Sequence, residues 1–415
     1  MVRRNRWRIT IGLLSVCCVM FLVTAPAWAQ APFKTGFVIP LTGVYAALGE
    51  DLRDGFLLYW SQVGSKTAGR TVEVLVEDKG SNKPDDGLTK ARKLVERDGV
   101  HILAGVISSP VAVALREYAH NQKVPFIVSN AGADVITQKL RSPYVFRASF
   151  ANSDSSHPLG EWAYKTGYRR MILMASDYGA GYEHVGGIAR TFIEAGGKII
   201  QEIYSPLGTA DFAPFISSID RSGDVVAVFF AGADALRFVN QYAEYGLKGK
   251  IPLIGKGFLV DEVILPKLGD AALDIVTSLQ WTPALEIPDN KKFVEAYEAK
   301  TKRPATVYAK QGYVTAQMIA RALETVKGNI ENREAFLAAL RKVEINAPRG
   351  KVKLDAFQNP VHTIYIRKVE KKGGKLQNTV IASYPNTGQF WKWSPEAYMA
   401  MPFYGDMKGK WASGR

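Results

Sequence analysis

The sequence predicts an α/β protein of two Rossmann-like lobes joined by a three-stranded hinge. Three observations point there. Short β-rich runs alternate with helix-like segments from Lys34 onward, which implies parallel sheets covered on both faces. One series of four strand–helix units occurs twice. The last third of the chain then supplies helices followed by strands, too little for a third lobe but enough to complete the first two.

In the first series, Phe37 to Leu41 reads as a strand, and Leu48, Leu52, Phe56, Tyr59 and Val63 form an apolar stripe at helical spacing. Thr71 to Val76 is a second strand. Pro84 to Asp98 is a helix, with proline suited to its first turn. His101 to Ile107, Pro110 to Asn121 and Pro125 to Val128 follow as strand, helix and strand. In the second series Met171 to Ala175, Lys198 to Tyr204 and Val225 to Phe230 are the strands. Gly187 to Ala195, Phe212 to Asp220 and Asp234 to Tyr245 are the helices. The fourth strands echo each other directly: Lys123-Val-Pro-Phe-Ile-Val-Ser129 against Lys250-Ile-Pro-Leu-Ile-Gly-Lys256.

Lys291 to Thr301, Val307 to Leu323 and Arg333 to Val343 are helical and are assigned to the first lobe. Lys351 to Leu354, Ile364 to Val369 and Gln377 to Ser383 are strands assigned to the second, the last two joined by the Gly373-Gly374 turn. The chain would cross between lobes near Arg147 to Ser149, Leu279 to Trp281 and Pro348 to Gly350. Lobe I is therefore expected over 30–149 and 282–347, and lobe II over 150–281 and 348–385. Three crossing strands permit bending and limit shear. The tail, 386–415, carries Phe390, Trp391, Trp393, Tyr398, Phe403, Tyr404 and Trp411. It reads as an aromatic strap packed over the lobes, with a docking surface as the alternative.

Residues 1–29 read as a cleaved secretory leader. Arg3, Arg4, Arg6 and Arg8 precede an apolar run from Ile9 to Val23, which is short for a membrane span, and Ala27-Trp28-Ala29 is a cleavage site. Val16 before Cys17 does not suit a lipid-anchor motif, so the expected product is a soluble periplasmic protein. Cys17 and Cys18 are the only cysteines and would leave with the leader. No disulfide, thiol nucleophile or cysteine metal site is then expected. The net charge of +14 falls by four with those arginines. The remaining lysines are scattered, which argues against a nucleic-acid partner. The densest group, Lys368, Lys371, Lys372 and Lys375, fits a solvated hairpin.

No enzyme motif is present. There is no phosphate-binding loop and no G-x-S-x-G elbow. Gly179-Ala-Gly181 approaches a dinucleotide fingerprint, but His184 stands where the third glycine is needed. His101, His120, His157, His184 and His362 have no helical i,i+4 partners. No cofactor or metal is therefore expected, and the protein is read as a non-enzyme.

In open α/β sheets ligands bind beyond the carboxyl ends of the strands. That rule selects Leu41 to Tyr45, Ser108-Ser109 and Ser129 to Ala133 in lobe I. In lobe II it selects Ser176 to Gly179, Ala231 to Asp234 and Gly255 to Gly257. Such small, hydroxyl-bearing loops let backbone N–H groups approach an anion or a carbonyl. Ser108 and Ser109 precede a helix, so capping and ligand contact are both open to them.

These residues resemble a known family. Gly36-Phe-Val-Ile-Pro-Leu-Thr-Gly43, Gly105-Val-Ile-Ser-Ser-Pro110, Val124 to Asp134, Asp177-Tyr-Gly-Ala-Gly-Tyr182 and Leu354 to Pro360 look like the type I periplasmic binding proteins. The likeness is greatest to the branched-chain amino-acid binding group of ABC importers. The resemblance implies that Ser108 holds a ligand carboxylate, that Ala131 and Gly132 offer backbone groups, and that Tyr178 faces the solute. It implies departures too. The family usually has a hydroxyl where Ala133 stands, an aromatic at Ala233 and an acid for the ligand ammonium at Lys256.

Lys256 facing the cleft would disfavour a zwitterionic amino acid and suit a carboxylate, phenolate or carbonyl. The alternative has Lys256 in solvent or paired with Asp234 or Asp261. Small residues at Ala133 and Ala233 would leave room for a flat body packed by Tyr45, Tyr178, Phe150 or Phe258. The expected ligand contacts are Tyr45, Ser108, Ser109, Asn130, Ala131, Gly132, Ala133, Tyr178, Ala233, Asp234 and Lys256. The expected partners are a small solute, aromatic or another carboxylate, and the membrane permease of an ABC importer, with the protein a monomer. Branched-chain amino acids or amides in the same role, and a periplasmic sensor presenting solute to a receptor, stand as alternatives.

Overall fold

The computed structural model describes residues 30–413. The leader expected over 1–29, with both cysteines, lies outside them, as do Gly414 and Arg415. Lobe I is built on strands β1 (Phe33–Ile39), β2 (Lys66–Thr67), β3 (Arg70–Asp78), β4 (Ile102–Gly105), β5 (Phe126–Val128) and β6 (Val145–Arg147), in the order β2-β3-β1-β4-β5-β6. All pairs are parallel except β2 with β3. Strands β4, β5 and β6 are buried along their whole length, as strands covered on both faces must be. Helices α1 (Ala46–Gln62), α2 (Pro84–Arg92) and α3 (Ser109–Asn121) connect them.

Lobe II repeats the plan. After α4 (Ser156–Lys165) come β7 (Arg170–Ser176), α5 (Gly179–Glu194), β8 (Lys198–Ser205), the short α6 (Ala213–Ser217), β9 (Val225–Phe229), α7 (Ala233–Glu244), β10 (Leu253–Lys256), α8 (Leu265–Leu268) and β11 (Val276–Leu279). Their five strands are parallel, and the antiparallel strands that end the chain extend the sheet.

Three helices return to lobe I: α9 (Pro288–Thr301), α10 (Val307–Thr325) and α11 (Arg333–Arg341). Helix α10 lies on α1 at very short range. A Cβ on Gly55 would sit 1.8 Å from the Ala309 carbonyl oxygen, and one on Gly312 would sit 2.0 Å from that of Leu52. The remaining strands are β12 (Glu344–Ala347), β13 (Gly350–Leu354), β14 (Pro360–Lys372) and β15 (Lys375–Thr387). Strand β12 pairs with β13 at the edge of the second sheet. Residues 344–347, grouped with lobe I in the sequence reading, therefore already hydrogen-bond to lobe II.

Where the chain passes between the sheets, buried arginines bind backbone carbonyls. Arg349 donates to the carbonyls of Ser149 at 3.0 Å and Ala148 at 3.1 Å, tying the first and third crossings together. Arg147 donates to Ala131 at 2.9 Å and Phe150 at 3.1 Å. Arg367 donates to the Trp281 carbonyl at 3.0 Å, on the second crossing.

The tail runs back across both lobes through α12 (Pro395–Ala400). Thr137 of lobe I donates to Gln389 at 2.9 Å. Ser153 and Tyr398 share a hydrogen bond of 2.9 Å, and His157 Nε2 meets the Tyr404 hydroxyl at 2.7 Å. Arg190 stacks its cation 4.2 Å above the Tyr404 ring. Phe390, Tyr398, Tyr404 and Trp411 are buried, as an aromatic strap requires.

Replacing Arg349 by Met removes the charge that holds two crossings and leaves their carbonyls without a donor. A loss of about 3–5 kcal/mol is expected. A fall in the urea midpoint with an unchanged slope would report it. An unchanged midpoint would show that these carbonyls find other donors.

Candidate functional site

The carboxyl ends of the strands in the two sheets converge on one enclosed cavity. From lobe I, the loop after β1 brings Tyr45 and Leu48, the loop after β4 brings Ile107 and Ser109, and the loop after β5 brings Asn130 and Gly132. The first crossing adds Phe150 and Asn152. From lobe II, the turn into α5 brings Tyr178, Ala180 and His184, and the end of β9 brings Phe229 and Ala231. Phe258 follows β10, and Tyr308 reaches in from the first turn of α10.

The lobes meet closely here, and the free volume is about 20 Å³, room for one water molecule. The Tyr45 and Tyr178 hydroxyls join across the gap at 2.9 Å. Larger depressions, about 760 Å³ beside Arg303 and about 420 Å³ along Thr325 to Lys342, are open surface grooves away from the strand ends.

The walls are aromatic. Phe258 stacks on Tyr308 with centroids 5.4 Å apart, and His184 stacks on Phe229 at 4.1 Å. Phe150 meets Phe258 at 5.6 Å. Burial, reinforced by the Lys256 charge, drives the His184 pKa well below the usual imidazole value, so the ring is neutral. Polar groups form a patch on the lobe I side. Asn152 Nδ2 donates to Ser109 Oγ at 3.3 Å, and Asn130 Nδ2 donates to Gln311 Oε1 at 2.5 Å. No aspartate or glutamate is among the lining residues.

Of the residues expected from sequence, Tyr45, Ser109, Asn130, Gly132 and Tyr178 line this cavity. Ser108 stands directly behind Ser109. It occupies the position before α3, but its hydroxyl makes no capping bond and has no partner among the described residues. Ala131 lies behind the wall with both backbone groups in use: its N–H donates to Val106 at 2.9 Å and its carbonyl accepts from Arg147. The Ala133 carbonyl also accepts from Arg147.

Ala233 and Asp234 do not line the cavity. Gly232, at φ 60°, turns the chain so that Ala231 faces the cavity and Ala233 opens α7. The Asp234 carboxylate accepts from Gly208 N–H at 2.8 Å and pairs with Arg237. The room expected from small residues at Ala133 and Ala233 is thus not at those positions.

Lys256 is buried, and neither expected environment is found. It meets Ser155 Oγ, stands 4.0 Å from Asp154 Oδ1, and lies 4.4 Å over the Phe150 ring. It therefore backs the aromatic wall. Burial lowers its pKa to about 8, with Asp154 opposing the fall. Asn152, Phe229 and Tyr308 are wall residues that the sequence reading passed over. Phe229 ends a strand and falls under the strand-end rule, whereas Tyr308 opens a helix whose periodicity reads as core.

A second, partly buried polar set joins the lobes beside this wall. Asp134 N–H of lobe I donates to Glu183 Oε1 of lobe II at 3.1 Å, and Asn152 Nδ2 donates to Glu183 Oε2 at 2.5 Å. Burial raises the pKa of both acids, and the Asp134 charge raises that of Glu183 further.

Two doubly wound lobes that close on an apolar cavity with a polar patch define a solute-binding protein of the two-lobed kind. A family model for periplasmic binding proteins matches residues 32–375, and the chain belongs to that family. Its relatives place it among the substrate-binding proteins of ABC transporters. The Leu/Ile/Val-binding protein homolog 6 of Brucella melitensis is 32% identical over 382 residues, covering 90% of this chain and 97% of that one. An R. palustris ABC transporter solute-binding protein in complex with benzoate matches at 33% identity and TM-score 0.81, covering 86% and 98% of the two chains. The corresponding protein of Rhodopseudomonas palustris BisB5, in complex with 3,4-dihydroxybenzoic acid, matches at 34% and 0.83, again over 86% and 98%. Among the described residues no helix is long and apolar enough to cross a membrane.

The carboxyl pair should make closure pH-dependent. An acid whose pKa is raised in the closed form favours that form when protonated, and the benefit is lost as pH rises through the raised value. Glu183→Gln is permanently neutral. Its melting temperature relative to wild type should therefore climb between pH 5 and pH 8. A difference that stays flat across that range would show that folding does not raise the Glu183 pKa.

Proposed function

We propose that this protein captures an aromatic carboxylate in the periplasm, closes its lobes on it, and delivers it as a monomer to the permease of an ABC importer. One observation carries the reading: the interlobe cavity is walled by Phe150, Phe229, Phe258, Tyr178 and Tyr308, has its polar patch on one side, and has no acidic lining residue.

A flat ring fits between stacked aromatic faces with offset or edge contacts. A zwitterionic amino acid needs a negative partner for its ammonium, and a desolvated cation without one costs several kcal/mol. The two R. palustris proteins, each solved with a benzoic acid, support the aromatic reading, whereas the printed name of the Brucella relative favours aliphatic amino acids. The aromatic walls and the lack of an acidic lining residue support the aromatic reading. A ring is far larger than the present free volume, so the lobes must part to admit it and the walls must spread around it.

A ligand panel followed by thermal unfolding tests this. Benzoate and 4-hydroxybenzoate should raise the melting temperature, by the equivalent of about 2.7 kcal/mol at 100 times the dissociation constant. Leucine and valine should not. Phe258→Ala should weaken benzoate about tenfold or more by removing one face of the slot. Stabilisation by leucine with none by benzoate would overturn the reading.

A further inference from the structure

Behind the lobe I side of the cavity stand donors with no acceptor among the described residues. Ser108 Oγ is one. Gln311 accepts from Asn130 through Oε1, which leaves its Nε2 unpaired in a fully buried side chain. One position earlier on α10, Lys310 is 0% exposed and its Nζ has no partner. A buried donor without an acceptor costs about 1–3 kcal/mol, and a buried ammonium more.

The charges around Lys310 are one-sided. Its strongest charged neighbours are Arg349, from the third crossing, and Lys256, from β10. His362 of β14 also faces it, and burial holds that ring neutral by lowering its pKa to about 4. The carboxylate of this group is Asp154, which is shared between His362 Nε2 at 3.0 Å and Lys256 Nζ at 4.0 Å. Three basic side chains thus gather around Asp154, with Asp134 also acting on Lys256, behind the Phe150 wall of a cavity whose lining has no acid.

We propose that Gln311 and Lys310 select an anionic solute: Gln311 Nε2 and Ser108 Oγ donate to the solute carboxylate, and Lys310 supplies the positive charge behind them. The proposal rests on the aromatic-acid reading and extends it to two residues on α10 that neither the strand-end rule nor the family resemblance marks. It has a consequence for protons. Burial and two neighbouring cations push the Lys310 amine well below its ordinary pKa. An arriving carboxylate reverses part of that effect and draws a proton onto Nζ, while Arg349 stays charged throughout.

Titration calorimetry on the intact protein near pH 7.5 tests it, with benzoate and its uncharged relative benzamide in buffers of different ionisation heat. Wild type should take up a proton with benzoate and none with benzamide. Lys310→Met should reduce that uptake, leaving only what Lys256 contributes, and weaken benzoate about tenfold or more, while benzamide changes little. Gln311→Leu should weaken benzoate similarly and leave the uptake in place. If Lys310→Met does not fold, Lys310→Gln and Gln311→Leu carry the comparison. Wild-type benzoate affinity and proton uptake in the Lys310 variant would overturn the proposal, as would equal losses for benzoate and benzamide. A wild-type protein that ignores benzoate would overturn the aromatic-acid reading itself, which is a distinct result.

Discussion

Charge taken out of water must be met by dipoles or by opposite charge, and that requirement shapes the region where the two lobes join. Three arginines are almost completely buried there, and backbone carbonyls supply much of their pairing. Arg147 holds the loop after β5 against the first crossing, Arg349 ties the first crossing to the third, and Arg367 anchors the second. Charge-assisted bonds of this kind are roughly twice as strong as neutral ones. Each crossing is thereby anchored, and three anchored crossings permit bending while limiting shear.

The contacts between the closing faces are of another kind. Tyr45 and Tyr178 share one neutral hydrogen bond, and Glu183 accepts one backbone N–H from across the gap. Bonds exchanged for water on opening are worth about 1 kcal/mol each. Opening therefore breaks weak links and spares strong ones. The tail complicates that picture, because it holds Thr137 of lobe I and His157 of lobe II together. Any large opening has to stretch or release this strap.

The fold was legible in the sequence because duplication and alternation are properties of order. A strand covered on both faces is an apolar run, a covering helix is an apolar stripe, and Lys123 to Ser129 beside Lys250 to Lys256 exposes the repeat. The site was legible only where a loop leaves a strand directly toward the cleft, as with Tyr45, Ser109, Asn130, Gly132 and Tyr178. Elsewhere one backbone turn decided the outcome. The positive φ at Gly232 rotates Ala233 and Asp234 away from the wall, and no residue count reveals that rotation. Lys256 was singled out for its charge, but burying it required Ser155 and Asp154, which sit a hundred positions earlier in the chain. Tyr308 and Lys310 were hidden by their helix, whose apolar periodicity describes how it packs on α1 and says nothing of its first turn.

Selectivity in such a cleft follows from what its wall leaves unmatched. Aromatic faces attract a ring of either charge state, so stacking alone cannot separate a benzoate from its amide. Nor can the Asp134–Glu183 pair, whose repulsion acts on closure whatever solute is enclosed. The separation has to come from buried polar groups that are unsatisfied without an anion, because only those lose more with the wrong partner than they gain from the right shape. Ser108, Gln311 and Lys310 are such groups, gathered on the lobe I side, where the resemblance to amino-acid binders puts the carboxylate. The ammonium half of that family's ligand has no counterpart in the wall. What remains in the wall is a set of rings with one polar side.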